Sequence, residues 1–362
     1  MSNPNGFLQA EEPPLRPQSS VSADAYARAG VDISAGNAAV DRYRELTSGW
    51  RHPNQVGSIG GFSGLFKLPG DEERLLVGST DGVGTKILIA AEARRYGSVG
   101  ADLVNHCVND ILVVNASPLF FLDYLAVGKL DPQVAGEIVA GVQRACQTHG
   151  CALLGGETAE MPGLYQPDHF DLAGTIVGMV DASAVPDPER VSEGDAIVGL
   201  PSVGLHTNGY SLARALIPLE EWNAPFPPGA ETAFVDALLA EHPSYYRAVR
   251  AIQRVAEVKV MAHITGGGLL ENVARTLPAR CKAVFEQARW KVPPLMAELV
   301  RRGDLSESER YRTFNMGVGF TLVVPLAEAQ RALSAWPGAS IVGWIERRHA
   351  GDPAVVVHAA RS

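Results

Sequence analysis

The run Leu75-Leu76-Val77, followed by Gly-Ser-Thr-Asp81-Gly82-Val-Gly84-Thr85-Lys86, constrains this chain more than any other stretch. The three apolar residues read as a short buried strand, the small residues after them as a turn, and Lys86-Ile-Leu-Ile-Ala-Ala as a helix start. A strand end that feeds a helix N-terminus presents free backbone N–H groups, which together form an anion site. Asp81 and Lys86 flank the turn; the carboxylate suits a hard cation such as Mg²⁺, and the ammonium suits phosphate oxygens. Gly82, Gly84 and Thr85 complete a candidate phosphate cradle. The P-loop spacing G-x-x-x-x-G-K-[ST] is absent. A structural corner with a solvated lysine accounts for the same residues, and the local pattern leaves both readings open.

The length of 362 residues allows two domains of ordinary size, and 46% apolar residues allow a sizeable core. A net charge of −9 without any basic block argues against a general nucleic-acid binder. Cys107, Cys146, Cys151 and Cys281 form no C-x-x-C pair and no zinc-ligand spacing, so each is expected to be a small buried residue in a reducing compartment. With no basic-then-apolar leader and no long apolar run, the chain reads as soluble and cytoplasmic, with a small-molecule partner and no membrane contact.

Residues 1–22, rich in Pro, Ser, Asn, Gln and Glu, read as a flexible tail. Gly57-Ser-Ile-Gly60-Gly61-Phe-Ser-Gly64 is a second glycine-rich loop, by itself a weak signal for a ligand-covering loop. From Asp102 a helical pattern places Val104, Val108, Ile111 and Leu112 on an apolar face, interrupted by Asn109 and Asp110, which need partners if buried. Leu119 to Val127 is a strand too apolar to stand at an exposed edge. Gln133–Cys146 reads as a helix and Cys151–Leu154 as a strand that ends at Gly155-Gly156. Glu157 and Glu160 beyond that turn either cap a short helix or complete a cation site with Asp81 and Asp110. The segment from Asp181 to Glu189 reads as a linker, dividing the chain into residues 23–182 and 183–362. His206, Asn208 and Ser211 cluster where a strand meets the helix from Leu212. Thr265-Gly266-Gly267-Gly268 would destabilise a helix start unless its backbone N–H groups meet an anion.

These motifs carry a resemblance. Tyr26-Ala-Arg-Ala-Gly-Val-Asp32-Ile-Ser-Ala-Gly-Asn37, Asp81-Gly-Val-Gly-Thr-Lys86, Val108-Asn-Asp110, His206-Thr-Asn-Gly-Tyr-Ser211, His263-Ile-Thr-Gly-Gly-Gly268 and Asn315-Met-Gly-Val-Gly319 are similar to the signatures of the phosphoribosylformylglycinamidine cyclo-ligase (aminoimidazole ribonucleotide synthetase) family. The similarity runs from about Tyr26 to Arg347. It departs at His242-Pro-Ser-Tyr-Tyr246, where the family usually carries an arginine that would suit a substrate phosphate.

The resemblance implies an α/β (α+β) fold of two domains, the first supplying sheet to a homodimer and the second folding over it. It implies an ATP-dependent ring closure of formylglycinamidine ribonucleotide through an iminophosphate. It implies Mg²⁺ on Asp81, Asp110 and Glu157, and phosphates on Lys86 with Gly60, Gly61, Gly82, Gly84, Thr85 and Thr265–Gly268. Substrate falls to His206, Asn208, Ser211 and Asn315, and His206, with an ordinary pKa of about 6.5, is the candidate for proton transfer. Two competing readings are another ATP-dependent enzyme of the superfamily and a sensing protein that kept the fold without the chemistry.

Overall fold

The computed structural model describes residues 25–358 apart from 51, 58 and 59; the expected tail, residues 1–22, lies outside the described residues. Two six-stranded sheets organise the chain. The first is built from β1 (Gln55–Val56), β2 (Gly64–Leu68), β3 (Asp71–Gly82), β4 (Ser117–Val127), β5 (Ala152–Glu160) and β6 (Phe170–Asp181), in the order β1-β2-β3-β6-β4-β5. The second contains β7 (Ala196–Pro201), β8 (Val260–His263), β9 (Cys281–Glu286), β10 (Val318–Val324), β11 (Ser340–Arg347) and β12 (Val355–His358), ordered β12-β9-β11-β7-β10-β8. Most neighbours are antiparallel; β4 with β5 and β9 with β12 are parallel. Helices interleave with the strands, giving the expected mixed α/β class.

The motif turn folds as its composition dictates. Strand β3 runs through Asp81 and Gly82, and helix α1 (Lys86–Ala93) starts at the lysine. Gly84 sits at φ +69°, a conformation that favours glycine, and so bends the chain from strand to helix. By contrast, the expected turn at Gly155-Gly156 does not form. Gly155 marks a register shift, and β5 continues through Glu157 to Glu160.

Helix α2 (Val99–Val113) is buried along its whole length because it lies between the two units. Leu103, Cys107 and Ile111, spaced by four, face the first sheet. Leu103 and Ile111 pack over Gly174 and Gly178 of β6, and the Cys107 thiol points at the Gly174 carbonyl. The opposite side carries Asp102, Asn105, Asn109 and Asp110, and it grips the second unit. Asn105 Nδ2 donates to the His242 carbonyl (2.8 Å), Asp102 Oδ1 accepts from the His242 amide (2.7 Å), and Asn109 Oδ1 accepts from the Tyr245 amide (2.8 Å). Asn109 is therefore satisfied by backbone and Asp110 by the side chains of Ser79, His106 and His263, as burial requires. Helix α3 (Pro132–Thr148) completes the layer, with Asp131 capping its N-terminus.

Candidate active site

Three glycine-bearing segments converge beside the end of β3. The Gly84 turn approaches the Thr207 carbonyl, and Thr85 Oγ1 lies 3.2 Å from Ser211 Oγ on helix α4 (Tyr210–Leu216). Gly266 lies against Asn208 Oδ1, so the Thr265–Gly268 turn faces the same hollow. Gly267 and Gly268 sit at φ +91° and +59°, and a Cβ on Gly268 would strike the Tyr311 carbonyl. Asn208, Ser211, Thr265 and Gly266 remain half-buried, within reach of a ligand. The Gly60-Gly61 loop lines a separate cavity of about 650 Å³ with Phe62, Leu76, Gly78 and Thr80. Ser79 ties that loop to the cluster: its hydroxyl lies 3.2 Å from the Phe62 carbonyl and 3.4 Å from Asp110 Oδ2.

Behind the hollow stands a buried group of imidazoles and carboxylates. His106 Nε2 lies 2.7 Å from Asp81 Oδ2 and 3.6 Å from Asp110 Oδ2, and its Nδ1 is 2.6 Å from Thr207 Oγ1. His263 Nδ1 is 2.8 Å from Asp110 Oδ1, and its Nε2 is 3.2 Å from His242 Nε2. His242 stacks on His206 with ring centroids 4.2 Å apart, and His206 Nε2 lies 3.5 Å from the Tyr245 hydroxyl. Gly319 belongs to this group by omission, since a Cβ there would collide with Tyr245 and His206.

The electrostatics split the imidazoles. Burial disfavours a charged His106, but Asp81 and Asp110 outweigh it and raise that ring to about 9. Burial also pushes Asp81 up, yet the His106 imidazolium prevails and holds the carboxyl below its ordinary value. Asp110, buried and next to Asp81, is pushed up to about 7 against the pull of His106. Burial and neighbouring imidazoles drive His206, His242 and His263 well below the usual histidine range, so these rings are neutral. Asp81, with 41% of its side chain exposed, is the acid of this cluster that meets the hollow; Asp110 is buried.

Several expected roles need correction. Lys86 is not available to phosphates: it is fully buried, its ammonium is 2.6 Å from Asp102 Oδ2, and it donates to the Ala240 carbonyl at 2.7 Å. The lysine therefore anchors α1 to α2 and to the chain before His242. Glu157 does not join Asp81 and Asp110. The register row Asp81–Gly174–Asp123–Gly156 puts two strands between them, roughly 14 Å at the usual strand spacing. Glu157, one residue beyond that row, points to the opposite face of the sheet. Asn315 is also spent on structure. Its Nδ2 donates to the Gly204 carbonyl, and its Oδ1 accepts from Ser202 Oγ and the Gly317 amide. His206 is only 1% exposed, at φ +65°, so in this conformation it shapes the loop and does not face the hollow.

His106 and His242 escaped the sequence reading. His106 stands four residues before Asp110, a spacing that puts both on one helix face, and that is the signal that could have found it. His242 stood out only through the arginine missing near it. The four cysteines are free and buried as expected.

Residues 62–180 match the family described as AIR synthase related protein, N-terminal domain, and residues 192–355 match its C-terminal domain. The chain belongs to this family. It is 44% identical over 339 residues to the phosphoribosylformylglycinamidine cyclo-ligase of Geotalea uraniireducens (strain Rf4), covering 91% of this chain and 97% of that protein. The enzyme of the same name from Myxococcus xanthus (strain DK1622) is 44% identical over 340 residues, covering 91% and 98%. Among solved structures, hydrogenase maturation protein HypE in complex with ATP superposes with a TM-score of 0.60 at 20% identity, covering 82% of this chain and 84% of that one. Thiamine monophosphate kinase from Aquifex aeolicus gives 0.59 at 16% identity, covering 88% and 96%. At these identities the two superpositions establish the AIR synthase-like fold.

Proposed function

We infer that this chain is an ATP-dependent cyclo-ligase of purine biosynthesis, closing formylglycinamidine ribonucleotide to aminoimidazole ribonucleotide with release of ADP and phosphate. The observation that carries the reading is the near full-length kinship with enzymes of that name at 44% identity. The convergence of the Gly82–Thr85, Asn208–Ser211 and Thr265–Gly268 segments on one hollow supports it. The formyl oxygen is a poor leaving group. Transfer of the γ-phosphoryl group to it gives an iminophosphate, and the substrate's own amidine nitrogen then attacks that carbon and expels phosphate. Catalysis of this kind is mainly positioning and charge neutralisation. Backbone N–H groups of the two glycine turns cradle the phosphates, Asn208 and Ser211 hold substrate, and Asp81 orients the reacting end and accepts the proton. His206 acts as a positioning residue, supporting the Thr207–Asn208 turn from behind.

The donor set fits a protein-held Mg²⁺ poorly. Both Asp110 oxygens face imidazoles and Glu157 lies on the other face of the sheet, whereas Mg²⁺ favours six oxygens. We assign Mg²⁺ to the nucleotide's own phosphates, as the counter-ion with which ATP arrives. We further propose a homodimer through the uncovered face of the first sheet, where Leu122, Tyr124 and Leu154 are exposed, acting in the cytoplasm. Among the described residues, no helix is long and apolar enough to cross a membrane.

Turnover tests the function. Purified protein given formylglycinamidine ribonucleotide and Mg·ATP should release one ADP per aminoimidazole ribonucleotide formed. ADP release without the imidazole product would favour a phosphotransferase of the same fold, and no turnover would favour a sensing role.

A further inference from the structure

The end of helix α3 carries two cysteines that the cyclo-ligase chemistry does not use. We propose that Cys146 and Cys151 form a redox-sensitive thiol pair, which hydrogen peroxide closes to an intramolecular disulfide and a thiol reductant reopens. The pair is independent of the cyclo-ligase reading, because it rests on how α3 ends.

The backbone brings the two side chains together. Gly150 sits at φ +63°, its amide donates to the Gln147 carbonyl (3.2 Å), and the Cys151 amide donates to the Cys146 carbonyl (2.9 Å). This is the Schellman ending of a helix, in which the residue after the left-handed glycine packs back on the helix's last turns. Here both of the packed positions are cysteine. With the fixed N–Cα and Cα–O spans added, the 2.9 Å bond limits the Cα–Cα separation to about 6.8 Å, and the bend at each atom shortens it further. A disulfide spans about 4.4–6.8 Å between Cα atoms, so the ring closes without unwinding the helix.

The two thiols are not equivalent. Cys146 is fully buried, whereas Cys151 is 6% exposed and immediately precedes β5, the last strand of the first sheet. The contact with Cys151, together with burial, pushes the Cys146 thiol up, while the Cys146 thiol, donating to Cys151, holds that sulfur below its ordinary value against burial. Cys151 is therefore the attacking thiolate and Cys146 the resolving thiol. The other two cysteines have no such partner, since Cys107 points at the Gly174 carbonyl and Cys281 at the Val191 carbonyl.

The Cys151 thiolate attacks one peroxide oxygen and the O–O bond breaks. Hydroxide leaves, takes up the proton that Cys151 gave up and becomes water, and Cys151 is left as a sulfenic acid. The Cys146 sulfur then attacks the Cys151 sulfur, the S–O bond breaks, and the Cys146 proton departs with that oxygen as a second water. The pair loses two electrons and two protons, which peroxide accepts. The new bond fixes the last turn of α3, where the Thr148 carbonyl accepts from Arg247 (3.4 Å) and His149 Nε2 lies 2.9 Å from Asn105 Oδ1 on α2. Oxidation thus stiffens a contact that reaches the second unit.

The test is thiol mapping of the full chain. Folded protein is treated with hydrogen peroxide, then denatured and alkylated; trypsin leaves both cysteines on one peptide, residues 145–190. That peptide should appear without alkyl groups and lighter by two hydrogens than its reduced form, and dithiothreitol should restore both thiols. Cys107 and Cys281 should stay alkylated throughout. Cys146→Ser should accumulate a sulfenic acid at Cys151 that dimedone captures, whereas Cys151→Ser should give no adduct at Cys146. The proposal is overturned if the treated wild-type chain keeps all its alkylatable thiols, if Cys146 or Cys151 pairs with a different cysteine, or if folded Cys146→Ser gives no adduct at Cys151. Should Cys146→Ser fail to fold, the mapping of the wild-type chain decides the matter.

Discussion

Two regions of this molecule invert the usual arrangement of polar and apolar groups. At the junction of the two units, Lys86, Asp102, His106, Asn109, Asp110, His242 and His263 are buried. On the outer face of the first sheet, Leu122, Tyr124 and Leu154 are exposed, Leu154 by 63%. The difference lies in compensation. Each of these junction side chains meets at least one named partner, His242 Nδ1 alone among their ring nitrogens going without, whereas Leu122 and Leu154 on the outer face stay open to solvent in a single chain. The junction is filled within one chain; the outer face has no covering layer within one chain. The second sheet sharpens the contrast, because β10 is buried at every position while β6 alternates buried residues with half-buried or exposed ones.

The comparison breaks most visibly at the buried pair. Asp102→Ala strands the Lys86 ammonium without its carboxylate and removes an acceptor from the His242 amide. Loss of one partner of a buried pair costs about 3–5 kcal/mol, so denaturant unfolding should show a stability drop of that size. Lys86→Met combined with Asp102→Leu should recover much of it, since apolar replacement of both partners removes the desolvation cost. If the single variant is as stable as wild type, the junction is less tightly compensated than its contacts indicate.

On the outer face the expected effect is on assembly. Leu122→Glu places a charge in the middle of the uncovered apolar row, and light scattering at micromolar concentration should show the mass halve relative to wild type. Circular dichroism should remain that of the folded chain, because Leu122 is solvent-exposed within the monomer. A wild-type chain that is already monomeric would remove the contrast altogether.

A third effect separates the regions by pH. His206, His242 and His263 are neutral in the fold, their charged forms disfavoured by burial, and His149 is lowered to about 4. Unfolding restores each to about 6.5, so between those values the unfolded chain binds more protons and stability rises with pH. This contribution is present above about 6.5 and is lost as pH falls toward 4. Stability should fall between pH 7 and pH 5, with about 1–3 kcal/mol from His149 alone, and Asp110, raised to about 7, offsets part of the fall because the fold favours its protonated form. The outer face carries no such histidine, so Leu122→Glu should leave this slope unchanged. A flat profile that persists in Asp110→Asn would mean that the rings are solvated.

How far the sequence revealed these regions depends on the type of signal. Strand β3, its turn and α1 were legible because period, glycines and helix start agree locally. The apolar run of β4 announced its need for cover in the same way. Lys86 was misread because a lysine after a glycine turn looks solvated, and only the tertiary position of Asp102 shows that it is buried. Glu157 was misplaced because Gly155-Gly156 resembles a turn, while strand pairing with β4 carries the chain straight through. The partnership of His106, His242 and His263 is invisible in a linear chain: its members come from α2, the segment before α5 (Tyr246–Gln253), and β8.

The smallest of the structural effects concerns packing at the junction. Gly319→Ala forces Tyr245 and His206 apart, and overpacking of this kind costs about 1–3 kcal/mol. Its effect on turnover should exceed its effect on nucleotide affinity, because the displaced loop carries Asn208 and leads into the helix that carries Ser211. An equal loss in both would make Gly319 a general packing residue.

The account's central claim is that ATP activates the substrate's formyl oxygen directly, with the chain supplying position and charge. The measurement that tests it most directly follows that oxygen. With ¹⁸O in the formyl group, mass spectrometry of the released phosphate should show one labelled oxygen for each aminoimidazole ribonucleotide formed. Label in water, with unlabelled phosphate, would contradict the claim, because the ring would then close by dehydration with ATP hydrolysed elsewhere.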